Sequence, residues 1–377
     1  MGEPRVIRSS EPYNDYGNLS GEGARRLLGT PATDPLLTAI RESAQNSWDA
    51  RLGGETPAFL LRLRTLDVEQ HAYLRDIVFR DLSPDTASPL RELLRGPSIR
   101  VAEICDFRTH GLTGTTRPSR VTNQQESRFV RFLRNIGSPR REGSVSGGTY
   151  GYGKSSLFSL SSCQTVIVDS LTSGQDGPSE RRFMASRMGE EFHDARTGRS
   201  FTGRHWWGNE NHQGDVVEPV RDAEAAYLAE RLGFAERETE TGTSVLILDP
   251  QLEVEWEDHE ALAAYIHRAL LWFFWPKMVP LEGETHSPME FRVEIENEEF
   301  QIPSVGESPP FHIFAEALQI ARSASPDRAY PIKIKRPLKG LGWMGYKADV
   351  LEDRLTHLGG EEGVKIPAVS HHVALLR

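Results

Sequence analysis

Helical and strand-like periodicities alternate along this chain, which predicts an α/β protein with a second, smaller α/β unit after the first. Three features carry the prediction. An amphipathic helix pattern at Pro35–Leu52 is followed by apolar, β-rich segments at Phe59–Leu66, Asp76–Phe79 and Ile99–Cys105. A glycine-rich loop at Gly143–Gly153 runs into a helix pattern at Ser155–Ser162 and a strand pattern at Gln164–Ser170. After Pro276 and Pro280 the texture changes to short alternating segments around one more helix pattern.

Taken in order, residues 1–33 are polar with scattered Gly, Ser and Pro and read as an N-terminal arm. Over Pro35–Leu52, Leu36, Leu37, Ile40, Ala44 and Trp48 fall on one side at 100° per residue, with Asp34 as cap and Pro35 as first helical residue. A helix-like stretch lies near Glu126–Ile136, and Gly242–Leu248 reads as a strand closed by an Asp249–Pro250 turn. A strong helix spans Glu257–Trp275 and stops at Pro276. Beyond it, Phe291–Ile295 and Glu299–Ile302 alternate across a Glu-Asn-Glu turn, Phe311–Arg322 is helical, and Pro331–Arg336 alternates again. This divides the chain into residues 1–33, 34–276 and 277–377.

The 377 residues exceed the size at which one core usually stops growing. With 38% hydrophobic and 26% charged residues the chain suits a globular protein, and its longest apolar run is too short to span a membrane. The N-terminus lacks a signal peptide's apolar core, so a cytoplasmic location is expected. Cys105 and Cys163 sit in apolar contexts and read as buried free thiols. A net charge of −10 argues against a surface that coats nucleic acid, although Arg128, Arg131, Arg134, Arg140 and Arg141 form a local basic run. That run fits a solvated helix face as well as it fits electrostatic steering.

Three segments carry chemistry. Glu42, Asn46 and Asp49 fall at i, i+4 and i+7, within about 60° of one another and opposite the apolar stripe. Alone, the trio is equally well explained as a solvated face. Asp106 ends an apolar strand before the loop Phe-Arg-Thr-His-Gly111-Leu112; an aspartate here either caps a turn or accepts from a ligand donor such as adenine's amine. Gly147, Gly148, Thr149, Tyr150, Gly151, Tyr152, Gly153, Lys154 and Ser155 then place bare backbone amides and a movable cation before a helix start, which is a phosphate cradle but not a Walker loop. His371 with His372 reads as surface histidine, and Trp206 with Trp207 and the Trp272–Trp275 cluster as core.

Glu-x-x-x-Asn-x-x-Asp-Ala, an Asp before a Gly-Leu loop, Gly-Gly-x-x-Gly-x-Gly before a helix and Gly242-Thr243 opening a strand occur in this order over roughly residues 35–250. The order resembles the GHKL ATPases (gyrase, heat-shock chaperone, histidine kinase, MutL), with the first segment most similar to MutL. The resemblance implies an α+β two-layer sandwich, the Bergerat fold, followed by a smaller transducer-like domain. It implies that Glu42 polarises the attacking water and that Asn46 ligates Mg²⁺. It also implies that Asp49 supports the nucleotide side, Asp106 reads adenine together with Gly111, Leu112 and Thr243, and the Gly147–Gly153 loop with Lys154 and Ser155 closes over the phosphates. The expected ligands are ATP and Mg²⁺. The expected activity is hydrolysis of ATP to ADP and phosphate that drives an ATP-dependent homodimeric clamp, with a partner protein or DNA, in DNA transactions or anti-phage defence and with no membrane. Lys333, Lys335 and Lys339 are candidates to reach the phosphates. Asp106 is followed by four residues before Gly111 where the family has one, which puts the roles of Gly111 and Gly114 in doubt. Two alternatives stay open: an ATP-responsive, non-catalytic scaffold, and a protein histidine kinase, which the absence of a histidine before Glu42 disfavours.

Overall fold

The computed structural model describes residues 3–15, 34–82, 88–121, 127–135, 152–174, 179–210, 216–323, 327–336 and 338–348, a few isolated positions before residue 24, and the two short strands His357–Leu358 and Val364–Lys365. The chain divides into two compact units, Met1–Glu253 with Glu294–Glu299, and Val254–Val293 with Phe300–Arg377.

The first unit is built on one large sheet. Its strands are β1 (Ile7–Pro12), β2 (Ala58–Thr65), β3 (Arg100–Phe107), β4 (Thr165–Leu171), β5 (Arg181–Met188), β6 (Phe192–Asp194), β7 (Arg199–Gly208), β8 (Val220–Arg221), β9 (Gly242–Leu248), β10 (Glu290–Ile295, of which Glu294 and Ile295 belong to this unit) and β11 (Glu298–Glu299). The spatial order is β1-β7-β5-β4-β9-β3-β2-β10-β11, with β6 beside β7 and β8 beside β5. Neighbours β2/β3, β3/β9, β9/β4, β4/β5 and β5/β7 run antiparallel. Part of the polar N-terminal arm is therefore an edge strand, since β1 pairs with β7 from Ile7↔Gly208.

The central strands carry apolar residues on both faces: every residue of β9 and all but the last of β4 are buried. Such strands must be covered twice. On one face lie α2 (Val68–Tyr73), α3 (Ser88–Arg95) and α5 (Asp222–Arg231), whose Tyr73, Leu90, Leu94, Leu228 and Ala229 share a core with Ile167, Phe183, Leu246 and Leu248. Each fully buried side chain of this kind contributes roughly 1.5–3 kcal/mol. On the other face α1 (Pro35–Asp49) packs beside α4 (Tyr152–Leu160), α1 over β2 and β3 and α4 over β4 and β9. Two layers account for the α1/α4 side, and the second set of helices adds a third layer over part of the sheet.

Local expectations hold closely for α1, β3, β4, α4 and β9. Asp34 caps α1 by accepting from the Leu36 amide at 2.8 Å, with Pro35 at the first turn. At Asp76–Phe79 the expected strand is instead a π turn, Leu74–Val78, continuing α2. The apolar residues there, Leu74 and Val78, are four apart and bury one helical face, which a four-residue run cannot distinguish from strand periodicity.

In the second unit α6 (His259–Met278) runs past Pro276 and packs through Leu271 and Trp275, with Val279 just beyond its end, on Val305, Phe311 and Ala315, the last two from α7 (Phe311–Arg322). A hairpin, β12 (Ala329–Lys335) and β13 (Leu338–Gly345), lies against α7. Among the described residues no helix is long and apolar enough to cross a membrane.

Candidate functional site

Chain direction brings the sequence motifs to one end of the sheet. β3 ends at Phe107, β9 begins at Gly242 and β4 ends at Leu171, with Cys105↔Ser244, Ser170↔Thr243 and Leu171↔Gly242 in register. Opposed residues share a face, so Ser170 and Thr243 lie on the α1/α4 side together with Val168, Val245 and Ile104. Asp106, two residues after Ile104, joins them.

The helices point their functional ends the same way. At its C-terminus α1 is tied to the loop after Asp106: the His110 amide donates to the Ala50 carbonyl at 2.9 Å, and the Leu52 amide to Arg108 at 3.1 Å. α4 is joined to β4 by a tight turn, and its last residue is held at the C-terminal end of β9, where the Gln251 amide donates to the Leu160 carbonyl at 2.8 Å and Ser161 Oγ donates to the Leu248 carbonyl at 2.6 Å. Because β4 then runs back toward Leu171, the N-terminus of α4 is directed to the end that carries Asp106, Ser170 and Thr243. The positive pole of a helix, preceded by the glycine-rich segment, thus lies beside the polar end of α1.

Asp106 is half-buried. Its Oδ1 accepts from the Thr243 amide at 2.9 Å and from the Thr109 hydroxyl. No described residue bonds its Oδ2. Burial pushes the carboxyl up from the ordinary aspartate value, opposed by the Arg237 guanidinium, the Thr109 hydroxyl and the Thr243 amide. Ser170 Oγ links the surroundings: it donates to the Gly242 carbonyl at 2.9 Å, lies 3.0 Å from Thr243 Oγ1 and accepts from the Leu112 amide at 2.9 Å. Gly111 and Gly242 are required here. Gly111 has φ 64°, and a Cβ would come within 2.6 Å of the Leu171 carbonyl oxygen; Gly242 has φ 150°, and a Cβ would come within 2.1 Å of the Asp106 carbonyl oxygen. The loop after Asp106 therefore keeps Gly111 against the sheet end.

Beneath this face the sequence conceals a buried support. Arg237, 1% exposed, donates to the Asp106 carbonyl and to Ser244 Oγ, both at 2.8 Å, and stacks on the Phe107 ring at 4.7 Å. Asp169 lies 3.8 Å from its Nε and is held by Arg181 through two 2.9 Å bonds. Ser170 and Asp169 follow from strand alternation once the register is known. Arg237 stands among Glu236, Glu238 and Glu240 and gives no sequence signal.

On α1, Glu42 is buried; its Oε1 accepts from Arg41 Nη2 at 2.8 Å and Nε at 3.2 Å, and its Oε2 has no partner among the described residues. Asn46 is exposed, with its side-chain amide unengaged by described residues. Asp49 accepts from Gln45 Nε2 at 3.1 Å. Trp48 is half-buried with the Arg51 guanidinium 4.0 Å over its ring. Gly147, Gly148, Tyr150 and Gly151 lie outside the described residues, as do Arg140, Arg141, His371 and His372. Gly153, Lys154 and Ser155 belong to the first turn of α4.

Two other expectations are resolved. Arg134 is not on a solvated face: it is 6% exposed, donates to the Val217 carbonyl, lies 4.8 Å from the Trp206 ring centre and is lowered by burial to about 10. Cys105 and Cys163 are buried free thiols. Among the described residues no group of three or more His, Cys, Asp or Glu side chains is placed to hold a metal.

No protein-family model and no curated protein matches the sequence. Among solved structures, the ATPase region of Saccharomyces cerevisiae topoisomerase II bound to ICRF-187 (dexrazoxane) is similar in part, with TM-score 0.34 and 9% identity over 79% of this chain. The match takes in 56% of that chain, just over half its length.

Proposed function

We propose that the first unit binds Mg·ATP on its α1/α4 face and hydrolyses it in the manner of a GHKL ATPase. The observation that carries this reading is Asp106: one carboxylate oxygen is held by Thr109 and Thr243 while the other has no partner among the described residues, on the same sheet end as the N-terminus of α4 and the exposed amide of Asn46. A half-satisfied, half-buried carboxylate beside an anion-attracting helix end suits a ligand with an amine at one end and phosphates at the other.

In this reading Asp106 accepts from the adenine amine, with Thr243 and Ser170 shaping the base site. Bare amides of the Gly147–Gly153 loop and the start of α4 take the phosphates, with Lys154 and Ser155 near them. The amide oxygen of Asn46 would be a hard ligand for Mg²⁺, which would supply neutralisation of phosphate charge. Glu42 Oε2, without a partner among the described residues, accepts a proton from water while Arg41 fixes the other oxygen. Water attacks the terminal phosphorus, the bond to the bridging oxygen breaks, the proton passes to Glu42, and ADP and phosphate leave. Asp49 supports the nucleotide side of α1 through Gln45. Ordering a glycine-rich loop is costly, so contacts to the third phosphate supply the differential binding that closes it and promotes association of two chains.

The pairing of Glu42 with Arg41 favours one second reading, an ATP-responsive scaffold in which Glu42 is structural. Nucleotide titration, phosphate release and phosphoprotein formation on one sample separate the possibilities. Mg-dependent binding with phosphate release supports the ATPase, binding without turnover the scaffold, and a labelled protein the kinase. Absence of ATP binding removes the proposal.

A further inference from the structure

We infer that the β12–β13 hairpin of the second unit is a docking ribbon for single-stranded nucleic acid. This does not rest on the ATP reading. From Arg328 to Lys347 the chain carries Arg328, Lys333, Lys335, Arg336, Lys339 and Lys347 and no acidic residue, in a protein whose net charge is −10. Lys347 is paired with Glu316 at 2.5 Å, whereas Lys333, Lys335, Arg336 and Lys339 have no ion-pair partner among the described residues. Local charge of one sign left unneutralised on an acidic protein is an electrostatic footprint for a polyanion.

Aromatic rings are interleaved with these cations. Tyr330 is 54%, Trp343 48% and Tyr346 62% exposed, unusual for rings that a hairpin would ordinarily bury. The register Pro331↔Trp343, Lys333↔Gly340 and Lys335↔Leu338, with a shift between Ile332 and Lys333, places Trp343 on the same face as Lys333 and Lys335, while Ile334↔Lys339 puts Lys339 with Tyr330 on the opposite face, so each face of the ribbon carries a ring and at least one cation. Opposite Lys333, Gly340 has open space where a side chain would stand. Side chains two apart on a strand are about 6.6 Å apart, close to twice the ~3.4 Å rise per nucleotide of a stacked strand. Cations that follow a phosphate backbone and rings on which bases stack form the platform used for single strands without sequence preference.

Competing occupants fit less well. A hairpin that inserts into a lipid surface carries its apolar residues at the tip, but here Lys335, Arg336 and Lys339 surround Leu338 and the rings lie toward the base. A second copy of the ribbon would bring like charges together.

The test is fluorescence anisotropy of a labelled oligothymidylate with the full chain, without nucleotide, across a salt series. The wild type is expected to bind with a negative log–log salt slope, and K333A/K335A/K339A to make it shallower by about two. W343A should weaken binding about tenfold, with W343F restoring it. Asp106→Asn should leave this binding unchanged, which separates it from the nucleotide site. If circular dichroism shows the triple variant misfolded, the single K335E, expected to weaken binding several-fold, decides instead. The inference is overturned if the wild type shows no salt-dependent binding or if the lysine variants bind unchanged. It is also overturned if anionic phospholipid vesicles bind through these residues and the oligonucleotide does not, or if sedimentation shows the hairpin variants to alter self-association alone.

Discussion

At the scale of single residues the site depends on where one carboxylate is held. Asp106→Asn keeps the volume but loses an ionised acceptor, so ATP affinity should fall about 5- to 150-fold, the equivalent of about 1–3 kcal/mol for a lost buried partner; an unchanged titration removes Asp106 from the site. Since burial raises its pKa, the folded chain takes up this proton at a higher pH than the unfolded chain does. The associated stability is present below the ordinary aspartate range and is lost as pH rises through the folded value, and ATP binding moves the opposite way, weakening on acidification as Asp106 protonates. Asp106→Asn should flatten both profiles. Gly242→Ala offers an independent check, because its Cβ would meet the Asp106 carbonyl oxygen at 2.1 Å. It should cost roughly 1–3 kcal/mol in denaturant unfolding and weaken ATP binding, although residue 242 offers the ligand no side chain. Glu42→Ala should bind ATP and slow phosphate release about 10²–10⁴-fold, whereas Asn46→Ala should lose the Mg²⁺ dependence of binding. Identical behaviour of the two variants would refute that division of roles.

Elements position these residues through their ends. α4 presents its N-terminus to the site because the turn into β4 reverses the chain at the other end of the sheet, where Ser161 holds Leu248. The loop after Asp106 is fixed farther along by Glu218, which accepts from the Thr116 hydroxyl and from Arg117 Nε at 2.5 Å. Burial raises the Glu218 carboxyl, but Thr116, Arg117 and Arg134 outweigh it and hold the pKa below the ordinary value. Its contribution is therefore present above the unfolded glutamate range and lost as pH falls through the folded value. Glu218→Ala should destabilise the chain by about 1–3 kcal/mol at neutral pH and by less in acid, measured by denaturant unfolding at both. A difference that does not shrink in acid would show that the clamp acts through packing and not through charge.

For the whole molecule, a ligand that binds only the folded chain raises its stability by RT ln(1 + [L]/Kd), about 2.7 kcal/mol at a hundredfold excess over Kd. A non-hydrolysable ATP analogue should therefore raise the melting temperature of the wild type and leave that of Asp106→Asn unmoved. Sedimentation with ADP, ATP and the analogue should show association only with the third phosphate present. If neither association nor protease protection of residues 143–153 responds to ATP, the clamp fails and the scaffold reading takes its place.

The sequence by itself determined what local chemistry can carry. Asp34 and Pro35 set the start of α1, apolar, β-rich runs set β3, β4 and β9, and the spacing of Glu42, Asn46 and Asp49 set one polar helix face. Tertiary structure alone decided the rest. It placed Asp106 against Thr243, 137 positions away, because β3 and β9 are neighbours in the sheet. It made Arg237 the buried support of that corner, and it showed that the sheet is covered on both faces. Such choices depend on strand order and register, which join residues far apart in the chain and leave no period in the sequence between them.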